Sequence, residues 1–235
     1  MTAAGTDRGT LYAGTSGFSY ATWRPGFYPA GSRPQDFLRL YAARLPAVEL
    51  NATFRKLHSE EQFETWARET PPDFRFAVKT NQRITHFGRL ELMPTFLEQI
   101  RALGDRLGPV LVQFPPTRPR DDGILRLMLD SLDPELSYAF EFRHESWRGV
   151  EPALDDAGAV LMGSLEGTAG FRYLRLREPP YDDEALAGWA ARIEPLLAAG
   201  IDVYAFFKHE DAPDAPAFAG RLLELVKGQA VPADT

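Results

Sequence analysis

The chain has 235 residues, 44% of them apolar and 25% charged, the balance of a soluble globular protein rather than a disordered or membrane-embedded one. Lys and Arg number 26 against 33 Asp and Glu, a net charge of −7, which argues against wholesale coating of nucleic acid or anionic membrane yet leaves room for a local basic pocket. Cysteine is absent, excluding disulfides and thiolate metal sites, and with no signal-peptide core and no run near the roughly 18 apolar residues of a membrane span the expectation is a cytoplasmic protein with no membrane partner.

Short strand-like runs alternate with amphipathic ones along the chain. "LYAGTSGF" from Leu11 is the first strand, followed by "QDFLRLYAARL" with Phe37, Leu38, Tyr41 and Leu45 on one helical stripe. "AVELNATF" from Ala47 leads to "EEQFETWARET", where Phe63, Trp66 and Ala67 share a face. "RFAVKTN" from Arg75 precedes "TFLEQIRALG", a helix expected to stop at Gly104. "PVLVQFP" from Pro109 precedes "ILRLMLDSL"; "SYAFEFR" from Ser137 and "AVLMGS" from Ala159 follow. "FRYLRLR" from Phe171, "DEALAGWAARIEPLLAAG", "DVYAFFKH" from Asp202 and "APAFAGRLLELVKG" close the series. Each strand is bounded by Gly, Pro, Asp or Asn.

This order predicts a parallel sheet wrapped by helices. Eight strands in about 230 residues suit a TIM-barrel-like (β/α)8 barrel better than an open sheet. Between Ser164 and Phe171 stands only "LEGTAG", while a parallel crossover usually takes a dozen residues or more. Extended at about 3.3 Å per residue, it reaches roughly 20 Å. The barrel is therefore expected to be irregular and to lack a helix between strands 6 and 7. One domain over 1–235 is expected, with its core at about 11–228 and frayed termini.

Side chains alternate along a strand, and one face of strand after strand turns polar toward its C-terminal end. Glu49, Asn51 and Thr53 oppose Val48 and Leu50; Lys79 lies with Ala77; Gln113 opposes Val112 and Phe114. Glu141 and Arg143 oppose Phe140 and Phe142; Tyr173, Arg175 and Arg177 oppose Leu174 and Leu176; Lys208 lies with Phe206. Catalytic groups of barrels sit at that end. The competing reading is a satisfied polar layer with pairs such as Glu49–Lys79 or Glu141–Arg175. Burying so many charges for stability alone is costly. Two carboxylates against Lys79, Arg143, Arg175 and Lys208 predict a positive mouth that holds a phosphate or carboxylate.

Four histidines are present. His86 in "RITH", His144 after the fifth strand and His209 after the eighth are placed to approach the mouth as acids or bases; His58 has the weakest case. No closely spaced histidine pair marks a metal site, although Glu49, His86, Glu141 and His144 from separate strands leave a divalent metal open. "GTSG" at the end of strand 1 offers backbone N–H groups to an anion. Tyr20, Trp23, Phe27 and Tyr28 wall a pocket or cover the rim, and Trp147 is placed to roof the site. Trp66 and Trp189 read as core.

Six motifs in order, "GTSGFSYATWRPGFYP", "VELNATF", "FRFAVKTNQRITH", "GPVLVQFPP", "AFEFRHESW" and "FRYLRLR", resemble the domain of unknown function 72 family, the YecE-like proteins. The likeness runs from about Tyr12 to Leu225 and implies a TIM-barrel-like fold, with little implied about activity. Its matching positions are Glu49, Asn51, Thr53, Phe54, Lys79, Thr85, His86, Gln113, Glu141, Arg143, His144, Ser146, Trp147 and Arg175. Three places depart from the family pattern. "RLRE" replaces Arg-Leu-His-Gly, "FFKH" puts Lys208 and His209 in place of amides, and "LMGS" lacks an aspartate.

The expected function is an enzyme on a small anionic, phosphorylated, carboxylated or sugar-like ligand. Glu141 or Glu49 and His144 or His86 would carry protons. Lys79, Asn51, Gln113, Arg143, Arg175, Lys208, Trp147, Tyr20 and Trp23 would bind it. Two alternatives stand beside it: a metal-assisted phosphodiesterase on DNA or RNA, resting on fold analogy, and a non-enzymatic anion sensor or adaptor. Residue order does not address oligomeric state.

Overall fold

The structure is a computed structural model and describes residues 8–179, 181–208 and 213–229. Among these residues eight parallel strands run β1 (Leu11–Ser16), β2 (Ala47–Leu50), β3 (Arg75–Lys79), β4 (Leu107–Phe114), β5 (Tyr138–Phe142), β6 (Val160–Leu161), β7 (Phe171–Leu176) and β8 (Asp202–Phe207). They pair in the order β6-β5-β4-β3-β2-β1-β8-β7. The two free edges meet where the Gly163 N–H donates to the Tyr173 carbonyl at 2.8 Å. Gly163 turns the chain there at φ 92°, a conformation that costs glycine little. The result is a nearly closed TIM-barrel-like α/β fold.

The expected helical stripes form α1 (Phe37–Ala42), α3 (Glu60–Arg68), α5 (Met93–Ile100), α6 (Asp122–Asp130), α8 (Asp183–Ala198) and α9 (Ala215–Gln229). Three further helices are short: α2 (Ala52–Arg55), α4 (Gln82–Thr85) and α7 (Glu151–Asp156). The four residues of α2 and of α4 complete about one turn, too few to show a stripe. Gly104, expected to end a helix, sits at φ 56° and ψ −137° within a 3-10 turn that follows α5. Strand β4 starts two residues earlier than the sequence suggests, and its register against β3 shifts between Phe76 and Val78. The extra residue falls around Gly108 and Pro109, as a bulge accommodates a residue without an N–H.

No helix separates β6 from β7, as their short connection, residues 162–170, requires. Arg172 organises that connection instead. Its guanidinium donates to the carbonyls of Leu165 (2.9 Å), Gly167 (2.5 Å), Ala169 (2.7 Å) and Phe171 (2.7 Å). A rigid fork with five N–H donors can satisfy several loop carbonyls at once, and here it does the work of a helix ladder.

Two apolar layers result from strand alternation. Val48, Val78, Val112, Phe140 and Leu174 pack outward against the helices. Ala47, Ala77, Leu111, Ala139, Tyr173 and Phe206 fill the barrel interior. Tyr12 stacks on Tyr204 at 4.7 Å, with the Arg75 guanidinium 5.6 Å from the Tyr12 ring. These rings plug the bottom of the barrel. His209 and the tail beyond Gln229 lie outside the described residues.

Candidate functional site

The polar layer is built by one rule repeated around the barrel. Two residues beyond each small or apolar interior position comes a polar one: Ala47 to Glu49, Ala77 to Lys79, Leu111 to Gln113, Ala139 to Glu141, Tyr173 to Arg175. A two-residue step keeps the side chain on the same face and advances it toward the C-terminal end. All five polar residues are buried. Register then sets the first contacts. Ser16 lies opposite Glu49 and Gln113 opposite Glu141, and each donates to its neighbour's carboxylate, at 2.8 Å and 2.5 Å.

Arg175 joins the two glutamates across the barrel. One of its terminal nitrogens donates to Glu141 at 2.8 Å and the other to Glu49 at 2.9 Å. Glu49 also accepts from Tyr173 at 2.7 Å. Glu141 also accepts from Arg143 at 2.8 Å and Arg177 at 2.6 Å. Burial by itself pushes the Glu141 carboxyl up, but the charge of Arg175 and the bonds from Arg143 and Arg177 outweigh it. The group is held well below the usual carboxylate range. Of the two pairs named from sequence, Glu141–Arg175 forms, while Glu49 pairs with Arg175 rather than Lys79. Tyr173→Phe is expected to cost about 2 kcal/mol by removing a hydrogen bond to a buried charge, read from urea unfolding; a neutral result would mean that Arg175 and Ser16 alone satisfy Glu49.

Lys79 stands apart from this network. Among the described residues its ammonium has no hydrogen bond and no ion pair, although two glutamates share its layer. It lies 3.9 Å from the centre of the Phe54 ring, a cation–π contact. Burial, reinforced by Arg175 and opposed by Glu49 and Glu141, lowers it from 10.5 to about 8. His86 packs edge-on against the same Phe54 ring at 4.9 Å. Burial, with the charges of Lys79, Arg143 and Arg118, holds its imidazole below the ordinary value. These groups open onto a cleft of about 470 Å³ that also takes in Asn51, Gln113, Arg143, Arg175 and Lys208.

Several residues singled out from sequence sit elsewhere. His144 caps the 3-10 turn Glu145–Trp147: its Nδ1 is 2.9 Å from the Ser146 hydroxyl, and it is not in the cleft wall. Trp147 is buried on the outer face, stacked on Phe142 at 4.3 Å, with its indole N–H donated to Arg118. It plugs the helix side rather than roofing the cleft. Trp23 is buried among Tyr20, Phe27 and Tyr28. Tyr20 lines a neighbouring cleft of about 770 Å³ with Phe18, Leu38 and Trp66, which meets the first at Asn51 and Arg55. Trp66, read as core, is half-buried: it packs against Phe63 at the core edge and also lines this cleft. Asn51 leaves the strand face and begins α2, yet keeps its place in the cleft, and its buried Nδ2 has no partner. The Gly17 N–H, offered as an anion donor, is spent on the Glu49 carbonyl at 2.8 Å. Arg177 and Ser16 were left out of the site on sequence grounds. Arg177 shares the parity of Arg175, which was the signal; Ser16 was visible only through register.

The fold and mouth define a TIM-barrel-like α/β protein with a carboxylate-braced, cation-rich cleft at the C-terminal ends of its strands. The chain belongs to the DUF72 family, described as "Protein of unknown function DUF72", which it matches over residues 12–235. It is 36% identical over 112 residues to the UPF0759 protein YecE of Escherichia coli (strain K12), covering 46% of this chain and 41% of that protein. It is 29% identical over 150 residues to the UPF0759 protein YunF of Bacillus subtilis (strain 168), covering 58% of this chain and 52% of that one. The chain thus spans about half, or less, of the length of these relatives. Two solved DUF72 family proteins share the fold. TM1631 of Thermotoga maritima MSB8 is 26% identical with a TM-score of 0.76, covering 93% of this chain and 99% of that one. EF0366 of Enterococcus faecalis V583 is 17% identical with a TM-score of 0.77, covering 94% and 99%. Among the described residues no helix is long and apolar enough to cross a membrane.

Proposed function

We propose that the barrel mouth is the active site of an enzyme acting on a small phosphorylated or carboxylated molecule. The observation that carries this reading is the unpaired Lys79 ammonium in a concave cleft beside Arg143 and Arg175. A desolvated cation without a counter-charge costs folding energy, and an anionic substrate would supply the missing charge. Arg143, with 33% of its side chain exposed, and Lys79 are the groups free to meet it. Glu49 and Glu141 accept too many hydrogen bonds to serve as proton carriers; their role here is to hold Arg175 in place. His86, whose imidazole burial and its cationic neighbours hold below the ordinary value, takes over as the proton carrier.

Thermal unfolding in inorganic phosphate and in a small carboxylate tests the reading. Wild type should be stabilised in a saturable way, and Arg143→Ala should weaken the apparent affinity roughly tenfold, about 1.4 kcal/mol. No saturable stabilisation by either anion, or the same response in the variant, would remove the basis for an anion site. The phosphodiesterase alternative needs converging metal donors. Among the described residues no three His, Cys, Asp or Glu side chains come together, so the donor set gives it no support. An anion sensor would share the binding result and differ only in turnover.

A further inference from the structure

We infer that Lys79 is a covalent catalytic residue: its amine forms an imine with a carbonyl compound that carries a carboxylate or phosphate. This rests on the anion-binding reading and adds the reacting group and the substrate class. An imine-forming lysine needs a lone pair that no neighbour occupies, a cleft that admits the carbonyl, and a shell that disfavours the ammonium form. Lys79 meets each requirement.

Its nitrogen faces a ring, at 3.9 Å from the centre of Phe54, rather than an acceptor. The two carboxylates of its layer are already taken. Glu49 on β2 accepts from Ser16, Tyr173 and Arg175. Glu141 on β5 accepts from Gln113, Arg143, Arg175 and Arg177. Arg55 on α2, Arg175 on β7, Arg143 after β5, Lys208 after β8 and His86 after α4 are the other charged and titratable groups of the cleft. A structural lysine in the same layer would be expected to take one of the glutamates; here arginine takes both. Burial, reinforced by Arg175, also lowers the ammonium to about 8, which leaves an appreciable share of free amine near neutral pH.

The chemistry closes with the groups present. The neutral Nζ lone pair attacks the carbonyl carbon, a C–N bond forms, and the C=O π pair moves to oxygen. One proton leaves nitrogen and reaches that oxygen, giving a carbinolamine, with His86 on the same Phe54 wall as the carrier. A second proton, drawn from solvent, lets the oxygen depart as water while the nitrogen pair forms C=N. Amine, carbonyl and one proton give a protonated imine and water. Arg143 and the ligand's anionic group fix the register of the reaction.

The chain holds four lysines, Lys56, Lys79, Lys208 and Lys227, so peptide mass spectrometry resolves every site. The folded protein is incubated with sodium cyanoborohydride and pyruvate, glyceraldehyde 3-phosphate or acetaldehyde, and modification is followed at each lysine. With the anionic carbonyls, Lys79 is expected to be reductively alkylated at least about tenfold faster than exposed Lys56 and Lys227, and inorganic phosphate should slow it. The Lys79 rate should rise through pH 8 and level off above it. If Lys79 reacts no faster than Lys56 with any probe, the imine inference fails, whatever the phosphate titration shows. If acetaldehyde labels Lys79 as selectively as pyruvate and phosphate gives no protection, the imine stands and the anion reading falls.

Discussion

Glu141→Gln is expected to lose about 3–5 kcal/mol of unfolding free energy, on the order of 10 °C of melting temperature for a chain of this length. The carboxylate accepts from Gln113, Arg143, Arg175 and Arg177. Glutamine keeps the volume but removes the charge and turns an amide donor toward a set of donors. Arg175, with 1% of its side chain exposed, is left with Glu49 alone. Breaking one partner of a buried ion cluster leaves an uncompensated charge, which is why the loss exceeds that of a surface pair. The pH dependence has a definite sign. The folded carboxyl titrates below its ordinary 4.5, so protons bind the unfolded chain more tightly. Its contribution is fully present above about pH 4.5 and is lost as pH falls toward the folded value. The gap between wild type and Glu141→Gln should therefore be flat from pH 7 to 5 and shrink below 4.5. A gap that stays constant to pH 3 would show that the carboxylate is not held by its guanidinium partners.

Lys79→Met is expected to act in the opposite direction, stabilising the ligand-free protein by on the order of 2 kcal/mol at pH 7 while abolishing stabilisation by anions. The amine lies at about 8 in the folded chain against an ordinary 10.5. Below pH 8 the proton it carries costs the folded state, at 1.36 kcal/mol per unit less what the Phe54 contact returns. Between 8 and 10.5 the unfolded chain binds the proton more tightly, so wild-type stability climbs with pH. The advantage of methionine should be full below pH 8 and fade toward 10.5. A group that weakens the fold yet is needed for binding is the mark of a functional position. Urea unfolding at pH 7 and pH 10 reads it. A methionine variant less stable than wild type at pH 7 would make Lys79 a structural cation resting on Phe54, and the site reading would lose its main support.

The eight-strand rhythm, the missing sixth helix and the inward polar turn of Glu49, Lys79, Gln113, Glu141 and Arg175 were all legible in residue order. Each is a local property: alternation follows from backbone geometry, and a short connection has a fixed reach. The same reasoning misplaced His144 and Trp147. Both lie past the end of β5, where side-chain direction is set by the 3-10 turn and the aromatic packing behind it rather than by strand parity. The role of Arg172 left no signal in residue order, because its partners are backbone carbonyls of a loop that no pattern describes.

Sequence by itself therefore determined which residues point into the barrel and at which height. Only the closed barrel decided which charges meet. Glu49 and Lys79 lie on adjacent strands, yet Glu49 reaches Arg175 on β7, which is separated from β2 by β1 and β8. Arg175 in turn reaches Glu141 on β5. These contacts cross the lumen, so they depend on curvature and closure. By drawing both glutamates to arginine, closure leaves Lys79 without a hydrogen bond or ion pair among the described residues, resting on the Phe54 ring.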